Sequence, residues 1–144
     1  VGEAALNALV AAHYGVPIAL VTGDQVTAAE SRRLNPAPVC VEVKRSVSRY
    51  ASESLHPAVA RTLIHEGARR ALGAEKPATA PVFATPIQIE VTFLTADMAE
   101  MSAWLHGVKL AEDHSRTVTL EGSDPLALFR TFVTMVALTR SLVE

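Results

Sequence analysis

His65-Glu66 opens like the helix motif HExxH, in which two histidines one turn apart hold zinc and the glutamate between them acts as base. The second histidine belongs at position 69, where Arg69 stands, so the two-imidazole face is absent and His65 reads as a helix-surface residue. His56 precedes Pro57 and suits the start of a helix, while His106 and His114 have no partner at metal spacing. Five histidines without a pattern are weak grounds for a metal. The sequence also lacks a G-x-S-x-G elbow, an S-x-x-K pair, a phosphate-binding glycine loop and a paired-cysteine zinc pattern.

Three residues carry a chemical reading beside an ordinary one. Glu3 stands at the mouth of a helix whose following turns are almost wholly apolar. An acid there is commonly placed by the positive helix N-terminus, an effect of about 0.3–1 kcal/mol. Its chemical reading is metal ligation, since a carboxylate entering a buried region needs a positive partner. Asp24 follows a buried-strand pattern, where open α/β sheets bind ligands, and is equally a helix cap. Lys44 closes a second strand pattern, from which it can reach an anion or simply face water.

The elements that must position these residues follow from periodicity and punctuation. Ala4 to Tyr14 is helix-like but apolar nearly all round, with Leu6, Leu9, Val10 and five alanines, and Gly15 stops it. Such a helix is expected to be covered on several sides. Pro17 to Val21 reads as a buried strand running into the turn Thr22-Gly23-Asp24. Asp24 or Thr27 caps the next helix, Thr27 with Glu30 makes a capping-box pattern, and the helix ends before Pro36. Val39 to Val43 is a second strand, and the polar stretch Ser46 to Leu55 reads as a connection. A helix then starts at Pro57, carries the stripe Val59, Leu63, Ile64 and Ala68, and closes at Gly73.

Residues 73–86 hold Pro77, Pro81 and Pro86 and read as an extended connection between two subdomains, 1–72 and 87–144. In the second, Ile87, Ile89, Val91 and Phe93 alternate with polar residues as in a half-buried strand. Asp97 to Leu105 is a short helix. Val108 to Leu110 and Thr117 to Leu120 are strands around the turn Glu112-Asp113-His114-Ser115. The last helix is capped by Ser123 or Asp124, with a stripe of Leu126, Phe129, Val133 and Val136 widened by Leu128, Phe132 and Met135. The fold class expected is α/β, a mixed sheet with flanking helices.

At 144 residues, 49% hydrophobic and 19% charged, the chain can bury a core. A formal net charge of −2 gives no pull toward nucleic acid or an anionic membrane, and no apolar run approaches spanning length. The lone Cys40 excludes an internal disulfide and suits a reducing compartment, so a cytoplasmic location is expected. The chain opens at Val1 almost directly on an apolar helix, so a preceding segment is expected.

The segment Val1-Gly2-Glu3-Ala4-Ala5-Leu6-Asn7-Ala8, continuing through His13-Tyr14-Gly15-Val16-Pro17 to Val21-Thr22-Gly23-Asp24, resembles the middle of DppA-type D-aminopeptidases. Val43-Lys44-Arg45-Ser46 and the run from Pro57 through Leu63-Ile64 agree with that family in order and spacing. The resemblance covers essentially the whole chain, and its first 24 residues are its most specific part. It implies the C-terminal portion of a larger D-aminopeptidase-like fold, with 1–72 belonging to the metal-site α/β domain. It further implies a self-compartmentalising homo-oligomer using two zinc ions on short peptides with an N-terminal D-residue, such as D-alanyl-D-alanine. The glutamate of the VGE segment is a zinc ligand in the family and maps onto Glu3. The remaining ligands and the catalytic histidine lie in the family's preceding half, so no catalytic residue is assigned in this chain.

Asn7 and Lys44 match recurring family positions near the site. Asp24 is followed by Gln25 where the family commonly has aspartate, which leaves a role for Asp24 open. Since a catalytic zinc usually takes three protein ligands, Glu3 alone makes an incomplete site. The chain alone is therefore expected to be inactive, and to associate with itself or with the missing N-terminal half. The alternative is a non-catalytic α/β assembly or small-ligand-binding module that lacks the metal half.

Overall fold

The computed structural model describes residues 1–73, 79–112 and 114–142. Pro77 and Asp113 lie outside the described residues, as does the side chain of His114. The chain divides into two compact units, Val1–Val82 and Phe83–Glu144. Mixed α/β structure with helices on small sheets is the fold class that the patterning predicts.

The first unit begins with α1 (Glu3–His13), which Gly15 ends in a left-handed conformation at φ 65°. Val16 N–H reaches the Ala11 carbonyl and Gly15 N–H the Ala12 carbonyl, the paired closure that satisfies orphan carbonyls at a helix end. Only Ala8 and Leu9 are buried on α1, where it packs against α2 (Gln25–Ser31). The chain itself thus covers this all-round apolar helix on one side.

β1 (Leu20–Gly23) and β2 (Val39–Glu42) form a parallel pair joined through α2, with Leu20 opposite Val39 and Gly23 opposite Glu42. The strand starts at Leu20, later than the apolar run, and takes in Thr22 and Gly23 of the expected turn. α3 (Pro57–Leu72) packs on this pair, and His56 opens it by accepting from Ala58 N–H at Nδ1. Buried Gly67 lets α3 approach: a Cβ there would meet the Val41 side chain and, at 3.2 Å, Leu20 Cδ1. Successive strand residues alternate faces, so α3 covers the Leu20–Val41 face. Arg32, just past α2, bonds Glu42 on the other face at 3.2 Å.

Residues expected to form a polar connection instead form an antiparallel hairpin, β3 (Lys44–Ser48) and β4 (Ala51–Ser54). Its strands are almost wholly exposed, so neither face shows the apolar alternation that would announce it.

The second unit is a three-stranded antiparallel sheet in the order β5 (Ile87–Thr92), β7 (His114–Gly122), β6 (Val108–Ala111). Ile89 faces Leu120, Val91 faces Val118 and Val108 faces Leu120, which gathers the apolar residues on one side. Packed on β7 are α4 (Ala96–Ser102), through Met98 and Ala99, and α5 (Pro125–Thr139), through Leu128 and Met135. The stripe expected on α5 holds only in part: Val133 and Val136 are 46% and 49% exposed, while Leu128 and Met135, expected only to widen it, are buried together with Thr139. With apolar residues on nearly every side, the sequence offers no polar face from which to phase the buried one.

Candidate functional site

Two of the residues singled out by type and position, Asp24 and Lys44, line one cavity of about 220 Å³ in the first unit. The β3–β4 hairpin supplies the rest of the lining, Ser46, Ser48, Arg49, Tyr50, Ala51 and Ser52. Strand alternation accounts for part of the set: Lys44 and Ser46 are two residues apart and share a face, and Ser52 lies opposite Ser46. The remaining lining residues follow in sequence around the end of the hairpin, from Ser48 to Ala51. The register slips between Ser46 and Ser48, which carries Val47 out as the extra residue.

Asp24 caps α2: its Oδ1 accepts from Thr27 N–H at 2.8 Å. That bond, then the Thr27 hydroxyl, holds the Asp24 carboxyl below the usual carboxylate range, with smaller contributions from Val26 N–H and from Lys44. The capping box is not completed by Glu30, whose carboxylate is engaged elsewhere.

Gln25 ties the hairpin to the rest of the unit. Its Nε2 donates to the Ser46 carbonyl and its Oε1 accepts from Ser46 N–H, each at 2.9 Å. One side-chain amide thus matches both backbone groups of a strand residue, as a neighbouring strand would.

Glu3 and Asn7 lie elsewhere in the unit, exposed and one helical turn apart on α1, and neither lines the Asp24–Lys44 cavity. The backbone just before Glu3 is held from α2. Gly2 N–H donates to Glu30 Oε2 at 2.7 Å, and a Cβ on Gly2 would lie 2.5 Å from that oxygen. A larger residue at position 2 would make the end of the flexible Glu30 side chain move aside.

These donors do not make a zinc site by themselves. Among the described residues no group of three or more His, Cys, Asp or Glu side chains is placed to hold a metal. Glu3 is exposed, as are His65 and His106. Nor, among the described residues, is any helix long and apolar enough to cross a membrane.

Sequence reasoning read Glu30 as half of a capping box and Gln25 as a departure from the family's aspartate, and it missed the hairpin that carries the rest of the lining. The even spacing of Lys44 and Ser46 was the available signal, hidden because no apolar residue alternates with them on a buried face. The actual partner of Glu30 left no signal, since it is a backbone N–H 28 residues away.

Comparison with known proteins bears on the whole chain. A model of the D-aminopeptidase family matches residues 1–134. The D-aminopeptidase of Bacillus subtilis (strain 168) is 33% identical over 141 residues, which are 96% of this chain and 50% of that protein. A solved structure, the Zn-dependent D-aminopeptidase DppA from Bacillus subtilis, described as a self-compartmentalizing protease, is similar with a TM-score of 0.85 at 28% identity. The similarity covers 97% of this chain and 51% of that one. The chain thus spans about half the length of the relatives it matches.

Proposed function

The chain belongs to the D-aminopeptidase family, and we propose that it is the C-terminal portion of a metallopeptidase that removes N-terminal D-residues from short peptides such as D-alanyl-D-alanine. The observation that carries this reading is the continuous family match over residues 1–134, which includes the VGE segment ending on Glu3. Glu3 is the one residue proposed as a zinc ligand. It stands exposed at the start of α1 with Glu30 holding the backbone immediately before it, an arrangement that leaves its carboxylate accessible to an ion completed by other donors.

Asn7, one turn further along the same helix, and Asp24 and Lys44 are proposed as the neighbourhood of that site from their family positions, although neither Glu3 nor Asn7 lines the Asp24–Lys44 cavity. No residue of this chain is proposed to act directly on the peptide bond. Alone it is inactive, because a single carboxylate does not hold a catalytic zinc, which usually takes three protein ligands and an open position. The ion count, the cytoplasmic location and the homo-oligomeric state implied by the family resemblance are part of the same proposal. The incompletely covered α1 supports association with other chains.

A second reading, a non-catalytic assembly or small-ligand-binding module, is favoured by the absence of a metal-holding group among the described residues. Metal analysis separates the two. Purified 1–144 is expected to retain less than stoichiometric zinc. The protein expressed from the whole gene is expected to retain zinc and to release D-alanine from D-alanyl-D-alanine, with Glu3→Ala lowering both. Unchanged zinc occupancy in that variant removes Glu3 from the site, and a zinc-free, inactive whole-gene product favours the binding module.

A further inference from the structure

We infer that the cavity between Asp24 and the β3–β4 hairpin is a carboxylate subsite, which receives the free C-terminal carboxylate of a short peptide through Lys44 and Arg49. The choice of a peptide as the source of that carboxylate rests on the D-aminopeptidase reading; the anion chemistry rests on the cavity.

Across the hairpin, Arg45 stands in register with Glu53, whereas Lys44, on the cavity face, stands in register with Ser54. Among the described residues neither Lys44 nor Arg49 forms a salt bridge, and the one acid in the lining, Asp24, already accepts from Thr27 N–H. Two cations therefore face a space with one carboxylate, Asp24, which serves the helix cap first and draws on Lys44 only weakly.

The remaining groups are hydroxyls, those of Ser46, Ser48, Tyr50 and Ser52, which donate to an anion as readily as they accept. No large aliphatic side chain lines the space, so it does not suit an apolar side chain. Its volume of about 220 Å³ accommodates a terminal residue with its carboxylate, since a water takes up about 30 Å³ of liquid.

Two features favour the arrangement. The Arg49 guanidinium lies over the exposed Tyr50 ring, 5.4 Å from its centroid, a weak restraint on the fork that pairs with a carboxylate through two N–H groups. The Gln25 amide fixes Ser46 through both backbone groups and so sets the hairpin against α2. A subsite held in place this way loses less ordering entropy on binding.

The test is a titration of the full 144-residue protein with D-alanyl-D-alanine and, separately, with its C-terminal amide, followed through the backbone amide resonances of Ser46, Ser48 and Ser52. The free acid is expected to shift these resonances saturably and to bind at least about fivefold more tightly than the amide, the size of one partly screened ion pair. Lys44→Met and Arg49→Met should each weaken the free acid about fivefold and leave the amide unaffected. The preference should shrink as salt rises from about 50 to about 300 mM.

Equal binding of acid and amide, no shift with either, or wild-type affinity in both variants overturns the subsite. Inorganic phosphate displacing the peptide at equal concentration also overturns it, by showing a site for any small anion. Circular dichroism confirms that the variants are folded. The D-aminopeptidase reading is decided separately by zinc content and D-alanine release, which these titrations do not measure.

Discussion

Gln25→Ala removes a side chain that acts on Ser46 as an adjacent strand would, and its consequence can be worked through. Two hydrogen bonds of 2.9 Å disappear together. Each contributes about 1 kcal/mol net, so the Ser46 N–H should lose about 2 kcal/mol of protection. At 1.4 kcal/mol per factor of ten, its amide should exchange about 30 times faster. The loss should be local, because the hairpin buries little and meets the rest of the unit chiefly beside α2. Native-state hydrogen exchange resolved by residue, with a urea denaturation alongside, measures both quantities. Amides of β1 and β2 should keep their wild-type protection. If the Ser46 amide exchanges at its original rate in a folded variant, the clamp does not hold the hairpin and the fixed geometry claimed for the carboxylate subsite fails with it.

Other expectations follow from packing and charge. Gly67→Ala gains about 1 kcal/mol of helix propensity but drives a methyl into Val41, and overpacking costs about 1–3 kcal/mol. A lowered urea midpoint is therefore expected, and a raised one contradicts the seating of α3. Met135→Ala, at a fully buried position, should destabilise by about 2–5 kcal/mol, whereas Val136→Ala next to it should stay within about 0.5 kcal/mol; thermal unfolding of the pair tests the corrected face of α5. The folded state depresses the Asp24 pKa from 3.8, so its stabilisation is complete above that value and is lost as pH falls through the lower folded value. Asp24→Asn should accordingly flatten the acid side of a stability-against-pH curve below about pH 4. An unchanged acid limb would show that the cap carries no such linkage.

The elements that carried punctuation were legible in the residues. Pro57 and Gly73 bracket α3, Asp24 and Asp124 cap α2 and α5, and the alternation from Ile87 to Val91 is β5. What escaped was whatever depended on partners distant in the chain. The β3–β4 hairpin is held by its own ladder and by Gln25, so its residues are free to be polar on both sides. The buried side of α5 is chosen by the sheet beneath it, and a helix apolar all round accepts any choice. For the candidate site, Asp24 and Lys44 were visible as residue types at strand ends. Their meeting in one cavity depends on the path of β3 beside α2, which no local pattern encodes.

The parallel ladder of β1 and β2 has a practical consequence. Helices lie above and below it, yet it stops after two strands, and among the described residues no third strand continues it on either flank. Parallel ladders ordinarily run through several covered strands, and two-stranded ribbons are marginal when left to themselves. Among the described residues this ladder of the first unit is roofed and floored without side walls. Whichever polypeptide first offers an extended segment finds a row of amides and carbonyls already spaced to receive it. At the bench this makes protein concentration a variable to control, because copies of the chain compete for those same flanks.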